Sequence, residues 1–490
     1  MLDKIKELTK DTALYGISTI VGRFLGFILV PFYTNVFSPT DFGIQSYIYA
    51  FLAFANIVYI YGMDAAFMKY ATVEESDKRK VYSTGYIFVT VTTLLFSIFL
   101  VLIHQWLADK ADLSDYTNIL LYVIGILFLD TATLIPFSNL RLERKAFKFA
   151  LIKIINILIN VGLNFILILK YKFGIEAIFI SNLAASIFSF VTLIPDIYRN
   201  LEFTINKFYL KKMLFFGLTY LPASVAAMIV QVIDVPIVRA LTNEATLGIY
   251  RANYKLGIFM MLFVSMFQYA WQPFFLTNAK EENAKKIFSK VLSLFLIFSS
   301  FMWIILSLFI ENIASFQFYH GRSMIGKEYL TGIYIVPIIL LSYIFHGLYI
   351  NFIAGIYLEE KTKYLPAITG IGALINIVSN FILVPVIGIF GGAISTLFSY
   401  IFMSIGIFIV SQKFYKIDYE YSVIIKIMTI IFLVCGVFYY YVFTTGITFS
   451  IKIILLLFYF SAFAILKIVK KKDISSTLNL IFKKKNNPAV

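Results

Sequence analysis

Residues 14–47 read LYGISTIVGRFLGFILVPFYTNVFSPTDFGIQSY. The apolar run from Thr12 to Phe37 that contains most of them is, at about 1.5 Å per residue, long enough to cross a hydrocarbon core of about 30 Å. Arg23 stands near its middle, ~17 Å from the starting end. A guanidinium at that depth costs at least ~2.5–3.5 kcal/mol, so the spacing predicts that it faces a polar cavity or a partner rather than lipid. Pro31 interrupts the last turns, which a membrane helix tolerates when neighbours satisfy the freed carbonyl. A tight turn, Ser38-Pro39-Thr40-Asp41, then starts a second span at Phe42-Gly43.

The rest of the chain has the same character. Of 490 residues 60% are hydrophobic, 18% aromatic and only 14% charged. Such a composition excludes a soluble domain and points to an all-α polytopic membrane protein. The first span is too long for a cleavable signal peptide and lacks a small-residue cleavage site. A single cysteine, Cys435, excludes internal disulfides and cysteine metal clusters. Fourteen spans are expected: 12–37, 42–63, 81–106, 117–140, 149–169, 174–197, 213–240, 246–276, 291–310, 329–357, 364–384, 388–410, 421–443 and 449–466.

With the N-terminus placed in the cytoplasm, thirty of the 42 lysines and arginines fall on the cytoplasmic side and five outside. The predicted topology therefore has both termini cytoplasmic. The net charge of +15 is read as this asymmetry plus a basic tail, Lys470 to Lys472 and Lys483 to Lys485, suited to anionic headgroups. Nucleic acid is not an expected partner. Of the basic residues left within spans, Lys153, Lys426 and Lys452 lie near boundaries, where they are expected to snorkel.

The chain also repeats itself. Val30-Pro31 recurs as Val235-Pro236 and Phe42-Gly43-Ile44 as Leu247-Gly248-Ile249, both 205 residues on. Leu142-Glu143-Arg144-Lys145 recurs as Leu358-Glu359-Glu360-Lys361, and Asn160-x-x-x-Asn164-Phe-Ile-Leu as Asn376-x-x-x-Asn380-Phe-Ile-Leu, both 216 residues on. The expected domains are an N-terminal six-helix lobe (1–200), a C-terminal six-helix lobe (201–412), two appended helices (413–469) and a basic tail (470–490). Six spans per repeat is even, so the lobes are parallel. Their pseudo-twofold then lies along the membrane normal, with a cavity between them.

On Gly22-Arg23-Phe24-Leu25-Gly26 with Pro31, the Asp41-Phe42-Gly43 turn, Leu247-Gly-Ile-Tyr-Arg-Ala-Asn253 and the two Asn-x-x-x-Asn spans, the chain resembles the multidrug/oligosaccharidyl-lipid/polysaccharide (MOP) exporter superfamily, and within it the Wzx-type polysaccharide flippases. The resemblance implies a two-lobe transporter in a bacterial inner membrane. It would flip undecaprenyl-pyrophosphate-linked oligosaccharide outward for surface polysaccharide such as O-antigen. Lipid-linked oligosaccharide and membrane lipids are the expected partners, with a polysaccharide polymerase and glycosyltransferases as further candidates.

The intramembrane charges carry the chemistry. Arg251 and Lys255 share a helix face at i and i+4. With Arg23 they form a candidate cavity for a pyrophosphate, whose oxygens suit the planar guanidinium fork. The structural alternative is an ordinary Lys255–Asp234 salt bridge. Asp64, Lys69, Asp234, Arg239, Gln268, Trp271 and Gln272 are candidates for substrate contact or gating, Trp271 by stacking on a sugar. Asp130 and His346, equivalent across the repeat, are candidates for ion coupling by proton or sodium, or are each satisfied by a neighbouring hydroxyl or amide. No catalytic or metal residue is expected: His104, His320 and His346 have no ligand spacing, and no phosphate-binding loop of the nucleotide-hydrolase type occurs. The expected activity is non-enzymatic transport with no cofactor. The alternatives are a multidrug or cation antiporter of the same fold, a flippase for a peptidoglycan lipid precursor, and an enzyme acting on lipid-linked sugar.

Overall fold

The computed structural model describes residues 27–73, 77–319 and 321–468. Arg23, most of the first span and the basic tail lie outside the described residues. Twelve described helical stretches are long and apolar enough to cross a membrane, from Pro39–Ala71 to Tyr421–Phe443. A shorter apolar helix, Phe449–Ile465, follows them. These occupy thirteen of the fourteen expected positions, and 27–34 (α1), the end of the first, is helical. The protein is an all-helical polytopic membrane protein; the described exception is a small antiparallel hairpin, Gln317–Tyr319 with Arg322–Ser323.

Several spans are broken where none was expected. The second continues past residue 63 as two helices, α2 (Pro39–Ile60) and α3 (Met63–Ala71). Tyr61 and Gly62 between them are left-handed, at φ 32° and 74°. The kink brings Gly62 against Gly217 of α9 (Lys207–Val232), where a Cβ would lie 2.6 Å from the Gly217 carbonyl oxygen. After α4 (Lys78–Lys110), the fourth span divides at Thr133 into α5 (Thr117–Ala132) and α6 (Leu134–Leu142). α7 (Ala146–Phe165) and α8 (Glu176–Asn200) complete the first half. The seventh span divides into α9 and α10 (Asp234–Leu241), and the eighth into α11 (Glu244–Tyr254) and α12 (Ile258–Asn278) through a 3-10 turn at Lys255–Gly257. α13 (Ala284–Ser315), α14 (Val336–Leu358), α15 (Tyr364–Ile387), α16 (Ile389–Phe414), α17 (Tyr421–Phe443) and α18 (Phe449–Ile465) follow.

The chain forms two compact units. The first gathers the described residues up to Ile258 with Gln317–Gly332 and Lys363–Ser399; the second gathers Phe259–Phe316, Ile333–Thr362 and the chain from Tyr400. Within the first, α11 crosses α2, and α15 packs on α9 and α10.

The sequence repeat has a direct structural counterpart. After Leu142 the chain turns through Arg144 at φ 54°, with Lys145 N–H donating to Leu140 O; after Leu358 it turns through Glu360 at φ 54°, with Lys361 N–H donating to Ile356 O. Ser38 Oγ caps α2 by accepting from Asp41 N–H, and Asn243 Oδ1, 205 residues on, caps α11 by accepting from Thr246 N–H. The two helices so started cross at the repeated glycines. A Cβ on Gly43 would collide with the Glu244 carbonyl, and a Cβ on Gly248 with that of Pro39, itself the counterpart of Glu244. The collision is reciprocal because the crossing is a local twofold. Small residues permit this closeness, which is how membrane helices gain packing where no hydrophobic force joins them.

In the second unit α13 is the centre. Trp303 Nε1 donates to Pro337 O at 2.9 Å, and the Ser300 hydroxyl meets Tyr459 Oη at 2.8 Å. Lys452 does not snorkel. It is buried at 5% exposure, with Nζ 2.9 Å from Asn312 Oδ1 and 3.4 Å from Glu311 Oε2, pinning α18 to α13. Charge-assisted bonding outweighs the reach to water once the neighbouring helix supplies both partners. Lys426 Nζ donates to Leu466 O, and Lys153 Nζ sits 4.1 Å over the Phe137 ring.

Candidate functional site

Directly beneath the Gly43–Gly248 crossing lies a cavity of about 370 Å³ whose lining includes Tyr33, Gln45, Tyr49, Asn160, Arg251 and Lys255. Arg251 is three residues and Lys255 seven residues beyond Gly248, hence ~5 and ~10 Å down the helix axis. The repeat explains the walls. Ser46 and Ala50, the counterparts of Arg251 and Lys255 at offset 205, line the same space from α2. One helix therefore supplies two cations and its partner supplies two small side chains that leave room in front of them.

The alternative, a Lys255–Asp234 bridge, is not what the structure shows. Asp234, 3% exposed, accepts a 2.6 Å hydrogen bond from Tyr250 Oη, and its Oδ2 lies 3.7 Å from Arg251 Nη1. At that distance the contact is electrostatic: Arg251 Nε and Nη1 have no hydrogen-bond partner. Lys255 Nζ lies 5.2 Å from the centre of the Phe42 ring, a cation–π contact that leaves its three donors unused by any carboxylate among the described residues. No Asp or Glu is in the described lining. The polar remainder is partly satisfied. Tyr33 Oη donates to Asn164 Oδ1 at 2.8 Å, Asn182 Nδ2 donates to Tyr49 Oη at 3.3 Å, and Gln45 Oε1 has no partner. The lining of Gln45, Tyr49 and Tyr33 was not singled out from sequence. Only the offset of 205, applied to Arg251 and Lys255, would have pointed to this face of α2.

The other candidates are distributed. Arg239 is fully engaged at the same end of the first unit. Its Nε donates to Glu244 Oε1 at 3.0 Å, Nη1 to Ala111 O at 2.7 Å and Nη2 to Asp112 O at 3.1 Å, over the Tyr47 ring. The segment 323–329 closes over the same end. Asn35 Nδ2 donates to Ser323 O, Gly326 N–H to Thr34 Oγ1, and Tyr329 Oη to Phe37 O. Asp130 accepts from Ser186 Oγ at 2.7 Å, the hydroxyl partner expected as one of its two readings. In the second unit the His346 ring packs against Tyr400 at 4.7 Å between centroids. Asp64 lies in the first turn of α3 and Lys69 in the last, with Nζ 4.2 Å over Phe216.

Trp271 is a correction. It is 3% exposed and lies within an aromatic cluster of Phe267, Phe274, Phe275 and Phe288, with Nε1 donating to Asn351 O. Its face is covered, so no sugar can stack on it. Gln268 and Gln272 on the same helix are exposed. No group of three or more His, Cys, Asp or Glu able to hold a metal occurs among the described residues.

Comparison with known proteins places this geometry. A sequence model of the polysaccharide biosynthesis protein family matches residues 8–279, more than half of the chain. No curated protein sequence matches significantly. Among solved structures, the lipid II flippase MurJ in an inward closed conformation is similar at a TM-score of 0.72 and 19% identity, over 93% of this chain and 98% of that one. An inward-facing multidrug resistance MATE family transporter of the MOP superfamily is similar at a TM-score of 0.67 and 10% identity, over 80% and 94%. An outward-facing transporter of the same description gives 0.58 and 13%, over 82% and 95%. At these identities the likeness establishes a shared fold.

Proposed function

Because the chain belongs to the polysaccharide biosynthesis protein family, we propose that it is a flippase that carries an undecaprenyl-pyrophosphate-linked oligosaccharide from the inner to the outer leaflet of the bacterial cytoplasmic membrane. It acts by alternating access of the halves 1–200 and 201–412, with both termini cytoplasmic and no covalent chemistry. The observation that carries this reading is a cavity whose described lining holds no Asp or Glu, with Arg251 Nε and Nη1 lacking a hydrogen-bond partner and Lys255 Nζ not paired with any carboxylate among the described residues. A pyrophosphate crossing the membrane unpaired would meet a prohibitive desolvation cost. Arg251 and Lys255, joined by Arg23 from the first span, neutralise it. An antiporter for cationic drugs would want the opposite sign, carboxylates without partners. A peptidoglycan lipid precursor offers the same pyrophosphate, and the family match is what favours the polysaccharide pathway over it.

In this orientation the Gly43–Gly248 crossing, the Arg239 contacts and the 323–329 segment form an outer gate, closed above the cations. Asp130 with Ser186, and His346, are the proposed ion-coupling groups, by proton or sodium. The pyrophosphate step is tested by flipping of lipid-linked oligosaccharide in reconstituted vesicles. Each charge-assisted bond contributes about 1.5–3 kcal/mol, so Arg251→Ala should slow transport at least tenfold, with Arg251→Lys intermediate because the fork is lost. Arg23→Ala should act likewise. Wild-type rates from correctly inserted Arg251→Ala and Arg23→Ala proteins would reject the cationic site.

A further inference from the structure

A second polar cavity, of about 350 Å³, lies in the first unit far along the chain from the cation pair, where α3, α6 and α8 end and α4 begins. Its wall includes Thr72, Lys78, Arg79, Tyr82, Asn139 and Glu143. All four helices belong to membrane-crossing stretches, so the cavity sits where the chain passes from hydrocarbon to water.

The charges in the wall do not cancel. Glu143 is already committed: its Oε2 pairs with Lys145 Nζ at 2.5 Å and its Oε1 accepts from Asn139 Nδ2 at 3.0 Å. Among the described lining residues, Lys78 and Arg79 are the charges that no carboxylate pairs. Arg79 gives one long bond, 3.5 Å, to the Arg199 carbonyl. Independently of the charges, Tyr82 lines the cavity at 2% exposure, held by the Tyr86 ring 6.0 Å away and nearly parallel, and its hydroxyl has no hydrogen-bond partner. A buried hydroxyl left unpaired is unfavourable, and a ligand acceptor at the site would satisfy it.

We propose that this cavity is a binding site for the phosphate of an acidic membrane phospholipid. Its size admits a phosphorylated headgroup, and it is open at the level where headgroups lie. A basic pocket between membrane helices with an amphipathic tyrosine in its wall is what such a group requires. Arg79 offers a planar fork to two phosphate oxygens, Lys78 a point charge, and Tyr82 a hydroxyl donor in the same wall.

The test is titration of the detergent-solubilised full chain with phosphatidylglycerol, bound lipid being counted by native mass spectrometry. Phosphatidylcholine and inorganic phosphate serve as separate arms. Phosphatidylglycerol should bind at least fivefold more tightly than phosphatidylcholine. The double change Lys78→Ala with Arg79→Ala should erase that preference, and Tyr82→Phe, which removes one oxygen and leaves the ring packing, should weaken phosphatidylglycerol at least twofold. Lys110→Ala, a basic residue at the opposite end of α4 and outside the cavity wall, should change neither. Retention of the preference in both the double variant and Tyr82→Phe would overturn the site, leaving Lys78 and Arg79 as caps for helix carbonyls. Inorganic phosphate that competes fully with phosphatidylglycerol at equal concentration would overturn the lipid as its ligand in favour of free phosphate.

Discussion

Replacing Gly248 by alanine adds one methyl group at a place where the structure has no room for it. The new carbon would lie 3.0 Å from the Gly43 amide nitrogen and well inside contact distance of the Pro39 carbonyl oxygen. Both obstacles are backbone, so neither can rotate away. An ordinary contact needs about 3.5 Å, and α2 and α11 must therefore part by roughly 1 Å or more at the crossing. Overpacking of this kind costs about 1–3 kcal/mol, which shifts an equilibrium between closed and open ends by roughly 5–150-fold. The same reasoning applies to Gly43→Ala, and the double variant should fall short of the sum because both methyls open one interface. The assay is labelling of a cysteine at Gln45, which lines the cavity below, in a Cys435→Ser background with a membrane-impermeant maleimide applied outside intact cells. The rate should rise by that factor in each single variant, while yield and gel-filtration profile hold. An Asn283→Cys control should stay unlabelled until the cells are opened, as a cytoplasmic position requires. Unchanged rates in both folded glycine variants would refute the crossing as a gate, and labelling of Asn283→Cys from outside would invert the orientation.

Three further outcomes are expected. Lys255→Ala should leave thermal stability within about 1 kcal/mol, because Asp234 keeps Tyr250 and Arg251, while slowing transport; a large loss of stability would mean that Lys255 has a structural partner. Lys452→Ala should lower thermal stability in detergent by about 1–2 kcal/mol, less than for a fully buried pair because the Glu311 side chain is 45% exposed; no shift would show that α18 is held by packing alone. Asp130→Asn should slow ion-driven transport while substrate binding is retained, and an undiminished response to an imposed ion gradient would remove Asp130 from coupling.

Much of the fold was legible because apolar length acts over whole spans. The repeat was legible as well, since turns such as Leu142 to Lys145 and Leu358 to Lys361 depend on a backbone conformation that both copies retain. The helix breaks were not. A glycine stands at each break, Gly62 and Gly257, but a glycine within a span does not by itself announce a kink, and at Gly62 the close approach to Gly217 of α9 accompanies it. Within the site, the Arg251–Lys255 pair could be read from helical spacing, but the partner of Asp234 could not. Tyr250, one position before Arg251, faces the acid, and a hydroxyl among so many tyrosines carries no distinguishing signal. Trp271 failed for the related reason that sequence shows an aromatic near a membrane boundary without showing the four phenylalanines that enclose it.

The discontinuous make-up of the first unit has a consequence for how the protein is made. Its first portion is complete when Ile258 has left the ribosome, yet α15, which packs on α9 and α10, and the start of α16 belong to residues that follow Lys363 and run to Ser399. That is about 140 residues of further synthesis, or roughly 7–28 s at 5–20 residues per second. Throughout that interval the α9 and α10 surfaces destined for α15 stand against lipid or against the insertion machinery. The first unit is therefore expected to reach its final packing only after most of the second unit's helices have been made.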